Sequence, residues 1–179
     1  MSFKELFGRK SPDLDPLADL VLSKLKVGYF VDFDMNTWEV TDYNTYAFDD
    51  GYQTQEWELT AGHEKQYLER SEDDEVLWTL SRKLPLGAIE GNISKQIIDN
   101  EDPPSQITCK GKTYYLDESG AGNIRQAEHG RQEFIYWTFI DETDEHFVTI
   151  EQWGEREFEA SEGRPVEEYQ FTNILPGIN

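Results

Sequence analysis

The residues most capable of chemistry in this chain lie in a short polar segment, DETDEH, between two apolar stretches. It runs from Asp141 to His146 and is the densest local group of oxygen ligands in the sequence. A calcium loop of the EF-hand type needs a glycine and a closing glutamate at fixed spacing, which this segment lacks. Aspartate and threonine are also common in hairpin turns, where their side chains bond to nearby backbone groups. The segment is therefore predicted to be a turn between two strands, with exposed side chains, rather than a metal site.

The other candidates for catalysis or ligand binding lack the partners that such chemistry requires. The histidines, His63, His129 and His146, are never three or four residues apart, so no pair shares a helix face as in common zinc motifs. Cys109 has two lysines nearby that would favour its thiolate, but the sequence has no nucleophile elbow of the Gly-x-Ser-x-Gly type. We predict no catalytic, cofactor-binding or metal-binding residues, and an enzyme is the less favoured class.

The charge of the chain argues against one class of partner. Asp and Glu number 37 against 16 Lys and Arg, which gives a net charge of −21. Nucleic acids are bound by cations that neutralise phosphates, so we expect no nucleic-acid partner. An acidic mimic of nucleic acid is disfavoured because the acids are not regularly spaced. Hydrophobic residues make up 37% and aromatic residues 13%, too many for a disordered chain, so a folded domain is predicted.

Three features bear on cellular location. The chain has a single cysteine and therefore no internal disulfide, and its first residues lack the apolar core of a signal peptide. No apolar run approaches the roughly 20 residues that a membrane-spanning helix needs. We expect a cytoplasmic protein that does not cross the membrane.

Helical signals occur at two places. The segment SPDLDPLADLVLSKLKVG, residues 11–28, offers Ser11 or Asp15 as N-cap, each followed by proline, with leucines at helical spacing and Gly28 beyond the end. It predicts an N-terminal helix. Ile93, Ile97 and Ile98 in GAIEGNISKQIIDNEDPPSQ predict a short middle helix that ends before the prolines.

Most of the remaining chain alternates large apolar and polar residues, which is typical of antiparallel strands. The fold class is therefore mainly β (α+β), with antiparallel sheets arranged as a sandwich or as barrel-like units. We expect residues 1–10 to be a flexible or amphipathic N-terminal segment and residues 11–179 to be a single compact domain. Two similar β units, 28–86 and 106–176, are one interpretation of that domain, since an offset of 80 places Trp57 on Trp137 and both strand patterns in register. An internal duplication and a chance match were about equally supported.

The tryptophans alternate with polar residues, as they do on the buried face of a sheet, and core packing is favoured over a stacking surface. Should the two β units enclose a cleft between them, the aromatic residues expected to line it are Tyr114, Trp137 and Trp153.

A set of short segments rich in aromatic residues and glycine carries a family resemblance. They are LKVGYFVDF, TWEVTDYNTY, EWELT, LPLGAI, ITCKGKTYYLDESGAGNI and IEQWGEREFEASEGRPVEEYQFTNIL. Over about residues 25–176 the chain resembles the bacterial domain-of-unknown-function family 4178. The opening MSFKELFGRK is similar to the starts of small cytoplasmic proteins encoded beside phage-shock-protein-A homologues and small inner-membrane proteins in envelope-stress clusters. The resemblance brings no assigned activity and no catalytic residue.

The first ten residues carry a net charge of +2, whereas the remainder carries −23. An apolar stripe with cations beside it could contact an anionic membrane or a membrane protein, through Phe3, Lys4, Leu6, Phe7, Arg9 and Lys10. The alternatives are a disordered start or a segment whose Phe3 and Phe7 pack against the rest of the fold. The leading hypothesis is a non-catalytic cytoplasmic adaptor with a protein partner, acting beside the bacterial inner membrane, for example in envelope stress. The alternative is a small-ligand-binding protein or enzyme with a pocket between the two β units.

Overall fold

The computed structural model of this protein describes residues 20–126 and 130–177. Within them lie eleven strands and one α-helix, α1, at Ile93–Asn100. Short 3-10 turns occur at Leu22–Lys24, Leu86–Ala88 and Glu168–Gln170. The strands are β1 Phe30–Phe33, β2 Asn36–Phe48, β3 Gln53–Ala61, β4 Glu64–Glu72, β5 Val76–Leu84, β6 Gln106–Cys109, β7 Lys112–Gln126, β8 Gly130–Ile140, β9 Phe147–Gly154, β10 Glu157–Val166 and β11 Thr172–Leu175.

Eight of these strands close into one antiparallel barrel, in the order β2-β3-β4-β5-β10-β9-β8-β7. The ring closes where residues 45–48 of β2 pair with residues 122–125 of β7. Gly122 lies at this seam, and a side-chain carbon there would come within 3.0 Å of both the Ala47 carbonyl oxygen and the Phe48 ring. The missing side chain therefore allows the two strands to approach closely.

The three remaining strands extend the sheet outside the ring. β1 pairs with the start of β2 and with β11, and β6 pairs with the start of β7. Each long strand thus serves two purposes: its first half carries a short outer strand, and its second half closes the barrel.

A β-bulge in each long strand separates these two halves. In β2, Val40 pairs with Leu59 but Asp42 pairs with Glu58, so one extra residue, Thr41, is inserted. In β7, Leu116 and Glu118 pair with consecutive residues of β8 in the same way. A bulge shifts the alternation by one, so positions that face outward before it are followed by positions that face the barrel interior.

The main apolar cores lie on the outside of the barrel wall. One is built around Trp38, Trp57 and Trp78 and is covered by the 3-10 turn at Leu22–Lys24 and by β1. Trp57 is 1% exposed, and its indole Nε1 donates a hydrogen bond to the Leu25 carbonyl oxygen at 3.0 Å.

The second outer core is covered by α1 and β6 and contains Trp137, Phe139 and Cys109. In α1, Ile93 and Ile97 are 1% and 2% exposed, and the Asn92 side chain caps the helix by accepting from the Lys95 backbone N–H. Because both cores lie outside the barrel, the opposite faces of the same strands line the barrel interior.

The predictions of antiparallel β structure and of a short middle helix are confirmed. The described strands form one shared barrel rather than a sandwich or adjacent barrels. The predicted N-terminal helix is wrong over residues 20–28, which contain only the turn at Leu22–Lys24, while residues 11–19 lie outside the described residues. Leu22 and Leu25 are buried, and a spacing of three residues suits a 3-10 turn as well as an α-helix. No helix within residues 20–126 and 130–177 has the length and hydrophobicity to span a membrane.

Strands β1–β5 and β6–β10 follow the same plan. The bulge at Thr41 and that between Leu116 and Glu118 occupy corresponding places, and Trp57 and Trp137 are buried in the two corresponding outer cores. A duplication would produce this arrangement, and it stays a prediction, as do the proposed unit boundaries.

Candidate functional site

The barrel encloses a polar lumen. Along β3, Trp57 and Leu59 point outward into the first core, whereas Thr54, Glu56 and Glu58 line the interior. Two chambers occupy the lumen, one of about 580 Å³ and one of about 310 Å³. They meet at a junction lined by residues common to both: Tyr46, Glu56, Ser81, Glu151 and Ser161. Eight-stranded barrels are wide enough to hold one small ligand, and these volumes are those of ordinary ligand sites.

One wall of the lumen carries a group of buried carboxylates. Glu56 on β3 and Glu69 on β4 are directly paired across the two strands. Burial in the barrel, together with the nearby Glu151 carboxylate, raises the pKa of Glu56 to about 7. Burial and the Glu56 carboxylate raise the pKa of Glu69 to about 8. Both side chains keep some accessible surface because part of each faces the cavity. Near neutral pH these groups therefore hold protons that exposed glutamates would have lost.

Neutral side chains supply the hydrogen bonds to Glu56. Its Oε1 accepts from the Tyr46 hydroxyl at 3.1 Å and from Asn44 Nδ2 at 3.4 Å. Burial, followed by the charge of Glu56, holds the pKa of Tyr46 far above its usual range, so its hydroxyl acts only as a donor to the carboxylate. These partners orient Glu56 without neutralising it.

Cations in the lumen are scarce. Nine Asp and Glu side chains line the two chambers, against Lys83 and Arg156. Lys83 already forms an ion pair with Glu159, and its ammonium lies 5.5 Å from the centre of the Tyr67 ring. Burial also raises the pKa of Glu151, whose Oε2 accepts from Trp153 Nε1 at 3.1 Å. The lumen is thus strongly acidic.

The wall opposite Glu69 is aromatic. Phe134 and Tyr136 project from β8, and β8 lies four strands from β4 around the ring of eight. The ring centre of Phe134 is 4.6 Å from that of Trp153, and Phe48 lies 5.3 Å from Tyr136. Tyr46 completes this surface, in edge contact with Phe134 at 5.8 Å. The lumen therefore has the pair of Glu56 and Glu69 on one wall and aromatic side chains on the opposite wall.

Two polar atoms of the lumen wall lack a partner. Asn44 is 6% exposed and lines the larger chamber, and its Oδ1 has no hydrogen-bond partner among the described residues. Thr54 is 3% exposed and lines the smaller chamber beside Glu69, but its hydroxyl makes no hydrogen bond of ordinary geometry. Buried polar atoms are nearly always satisfied in folded proteins, so water or a bound molecule in the lumen would supply the partner of Asn44 Oδ1.

The DETDEH segment is a turn between β8 and β9, as predicted. Its first residue is not exposed, however: Asp141 is 2% exposed and organises the turn. Oδ1 accepts from the backbone N–H and hydroxyl of Thr143 at 3.0 and 2.8 Å, and Oδ2 pairs with Lys112 and with His146 Nδ1. Although burial opposes it, these bonds together hold the pKa of Asp141 well below its usual range. Among the described residues, no group of three or more His, Cys, Asp or Glu is arranged to hold a metal ion.

The three aromatic residues expected to share a pocket lie in different places. Trp153 lines the lumen. Trp137 is 3% exposed in the second outer core, where its indole donates to Asp102 Oδ1 at 3.1 Å. Tyr114 packs against the same core and borders a surface groove beside His146. Cys109 is buried, which raises the pKa of its thiol. His129 and the proposed membrane-contact residues, Phe3 to Lys10, lie outside the described residues.

Comparison with known proteins places the chain in a family. Residues 26–168 match the family described as domain of unknown function (DUF4178). The chain belongs to the DUF4178 family. An uncharacterized protein of Aquifex aeolicus (strain VF5) is 30% identical over 175 residues, covering 97% of this chain and 96% of that protein. No solved structure matches this DUF4178 protein significantly.

The DUF4178 match spans all eight barrel strands and both bulges, from β2 to β10. The family resemblance predicted from the sequence is therefore confirmed. The lumen carboxylates Glu56, Glu69 and Glu151 were not predicted as site residues. In the sequence they differ from other acids only in lying at polar positions of alternating strands. Because the chain has 37 Asp and Glu residues, that position does not distinguish them.

Proposed function

We propose that this DUF4178 protein is a non-catalytic binding module that holds a small polar molecule inside its barrel. The observation that carries the proposal is a lumen of ligand size in which the buried carboxylates Glu56 and Glu69 face an aromatic wall, with Asn44 Oδ1 free to accept a hydrogen bond. A bound molecule would satisfy atoms that the fold otherwise leaves buried at a cost.

The composition of the lumen also supports binding. Ligand sites combine aromatic walls with a few polar groups that fix orientation. Here Phe134, Trp153 and Tyr46 provide the aromatic surface, while Glu56 and Glu69 provide the polar groups. The proposal corresponds to the alternative from the sequence, with the site inside one shared barrel instead of in a cleft between two β units.

Binding without catalysis is favoured by what surrounds the carboxylates. A glutamate with a pKa near 7 could act as a general base, but it needs a nucleophile or substrate held beside it. Among the described residues, no histidine or cysteine lines either chamber, and Glu56 is bonded to an amide and a phenol. The adaptor role, the protein partner and the inner-membrane location stay predictions.

A lumen-filling variant tests the proposal. Ser161 lines both chambers, so Ser161→Leu should obstruct their junction, whereas Glu133→Leu introduces the same residue at a position whose side chain is 83% exposed. Each protein is incubated with a bacterial small-molecule extract, washed and analysed by mass spectrometry. The native protein and Glu133→Leu should retain a compound that Ser161→Leu does not.

If the native protein retains no compound that a folded Ser161→Leu variant lacks, the proposal is overturned. Circular dichroism and thermal melting establish that the variant is folded. Should it not fold, Thr79→Leu, which fills the smaller chamber from β5, takes its place in the same comparison.

A further inference from the structure

We infer that the lumen binds a linear aliphatic amine that carries two or more ammonium groups. This inference rests on the proposed function, since it names the chemical class of the molecule that the barrel holds. Four properties of the lumen lead to it: its charge, its hydrogen-bonding groups, its aromatic wall and the distribution of its carboxylates.

The charge of the lumen selects for a cation. Nine acidic side chains line the chambers against two basic ones, and Lys83 is already paired with Glu159. Buried like charges repel each other strongly in a medium of low dielectric constant. A ligand with positive charge relieves this repulsion, whereas an anion would add to it.

The hydrogen-bonding groups favour a ligand that donates, because acidic side chains dominate the wall. The unsatisfied Asn44 Oδ1 and the carboxylate oxygens are acceptors, and the donors on Tyr46 and Trp153 are already used by Glu56 and Glu151. An ammonium group offers three donors and no acceptor. It therefore matches the groups that the wall leaves open.

The aromatic wall accommodates both parts of an alkyl ammonium chain. Ring faces attract a desolvated cation, and they pack equally well against methylene groups. Phe134, Trp153 and Tyr136 form an aromatic cluster on the wall opposite Glu69, with which such a chain can pack. A strongly hydrated metal ion could make no use of this wall.

The carboxylates occur in both chambers, and Glu56 and Glu69 form a close cross-strand pair near the junction. Glu56 lies at the junction of the chambers and its cross-strand partner Glu69 lies in the smaller chamber, whereas Glu58 in the larger chamber is already paired with Lys65 at 2.7 Å. Direct cross-strand partners have Cβ atoms about 5 Å apart, so the ammonium groups of an extended chain of about four methylenes can reach the carboxylates of Glu56 and Glu69 together. Since no described group of acids is arranged to ligate a metal, an extended organic cation fits better than a single ion.

Binding of such a cation should release protons. Several titratable groups surround these two carboxyls. Those around Glu56 are Tyr46, Lys83, Glu69 and Glu151. Glu69 also faces Glu118, and Tyr136 and Glu159 line the same chambers. With pKa values of about 7 and about 8, Glu56 and Glu69 carry protons near neutrality that an ammonium group would displace. Affinity should therefore rise as the pH rises from 6 to about 8.5, where aliphatic amines remain protonated.

Isothermal titration with putrescine and spermidine tests the inference, with butanediol and succinate as neutral and anionic probes of similar length. Repeating the titration in two buffers of different ionisation enthalpy measures proton release, because the observed binding enthalpy then differs between the buffers. Glu56→Gln and Glu69→Gln should each weaken amine binding about tenfold, the effect of losing one charge-assisted hydrogen bond. Glu133→Gln, which removes the same charge from an exposed side chain, should leave it unchanged and so controls for general attraction to an acidic protein.

Several outcomes would overturn the inference. They are preferential binding of butanediol or succinate, amine binding that Glu133→Gln weakens as much as Glu56→Gln, and absence of saturable amine binding. If the mass-spectrometric comparison with Ser161→Leu still finds a retained compound, the binding function stands and only the amine class fails. If that comparison also finds none, both fail.

Discussion

Glu56 and Glu69 are direct cross-strand partners on β3 and β4, and both line the interior of the barrel. Side chains at such positions have Cβ atoms about 5 Å apart, and like charges there are destabilising. Burial adds to the repulsion, since both carboxylates have raised pKa values. A fold that keeps this pair loses stability at neutral pH, which is the common price of a binding site that is preorganised for a ligand.

The first prediction concerns the pH dependence of stability. The folded state holds protons on Glu56 and Glu69 up to about pH 7 and pH 8, whereas the unfolded chain releases them near pH 4.3. Between these limits the folded state binds more protons, so the contribution of these groups to the free energy of unfolding falls as the pH rises from 5 to 8.5. Glu69→Gln should remove part of this fall and stabilise the protein by about 1–2 kcal/mol at pH 8.5.

Urea denaturation at pH 5 and pH 8.5, without added amines, measures this effect. At pH 5 the native Glu69 is protonated, so the variant should gain little there. Glu133→Gln serves as the control because its side chain is 83% exposed. A loss of stability in Glu69→Gln at pH 8.5 would contradict the prediction.

The second prediction concerns Asp141 in the turn between β8 and β9. Its carboxylate bonds Thr143, Lys112 and His146, and the turn residues shield it from water. Asp141→Asn should lower the free energy of unfolding by about 2 kcal/mol at pH 7, because it removes a charge whose hydrogen bonds shape the turn. The folded-state pKa is lowered, so this stabilisation is present above the unfolded pKa of about 3.9 and is lost as the pH falls below it.

Asp144→Asn makes the same change at an exposed position of that turn and should alter stability by no more than about 0.5 kcal/mol. Equal effects of the two substitutions would show that Asp141 does not organise the turn.

Elemental analysis should find no stoichiometric divalent ion in the native protein, and recovery of one that Asp141→Asn loses would contradict the prediction that the segment is a turn without a metal.

The third prediction concerns Cys109, which is 2% exposed in the second outer core. Burial limits the access of reagents to the sulfur atom, and it also raises the pKa of the thiol, so the fraction present as thiolate is low. A thiol reagent at pH 7.5 should label the folded protein at least tenfold more slowly than protein in denaturing urea. Glu133→Cys adds an exposed thiol and should be labelled rapidly when folded. Rapid labelling of Cys109 in the folded protein would show that the covering by α1 and β6 opens readily.

The fourth prediction concerns the basic segment MSFKELFGRK, and it rests on the sequence alone. Its net charge of +2, against −23 in the remainder, makes it the part of the chain suited to an anionic surface. The full chain should co-sediment weakly with vesicles that contain anionic lipid and not with neutral vesicles, since each cation contributes about 1 kcal/mol. A chain that begins at Ser11 should sediment with neither, and identical behaviour of the two chains would dismiss the membrane contact.

The sequence was sufficient for the local structure where its signals are short-range. Alternation along YFVDF and EWELT predicted strands, and the isoleucines after Asn92 predicted α1, because these patterns depend on which face of one element is apolar. The turn at Asp141 was predicted for the same reason. The predicted N-terminal helix fails over Leu22 to Leu25 because their burial is set by the barrel surface beneath them, which no local pattern records.

The sequence by itself determined that this protein is built from antiparallel strands with one strongly apolar face, since alternation with a period of two requires that face to be covered. Only the tertiary structure decided where the polar faces lie. In most small β proteins they would meet solvent. Here the bulge at Thr41 and its counterpart before Glu118 exchange the two faces of β2 and β7, and the seam at Gly122 closes the ring. Closure turns the polar faces inward, and Glu56 and Glu69, two unremarkable acids among 37, become the centre of an enclosed site.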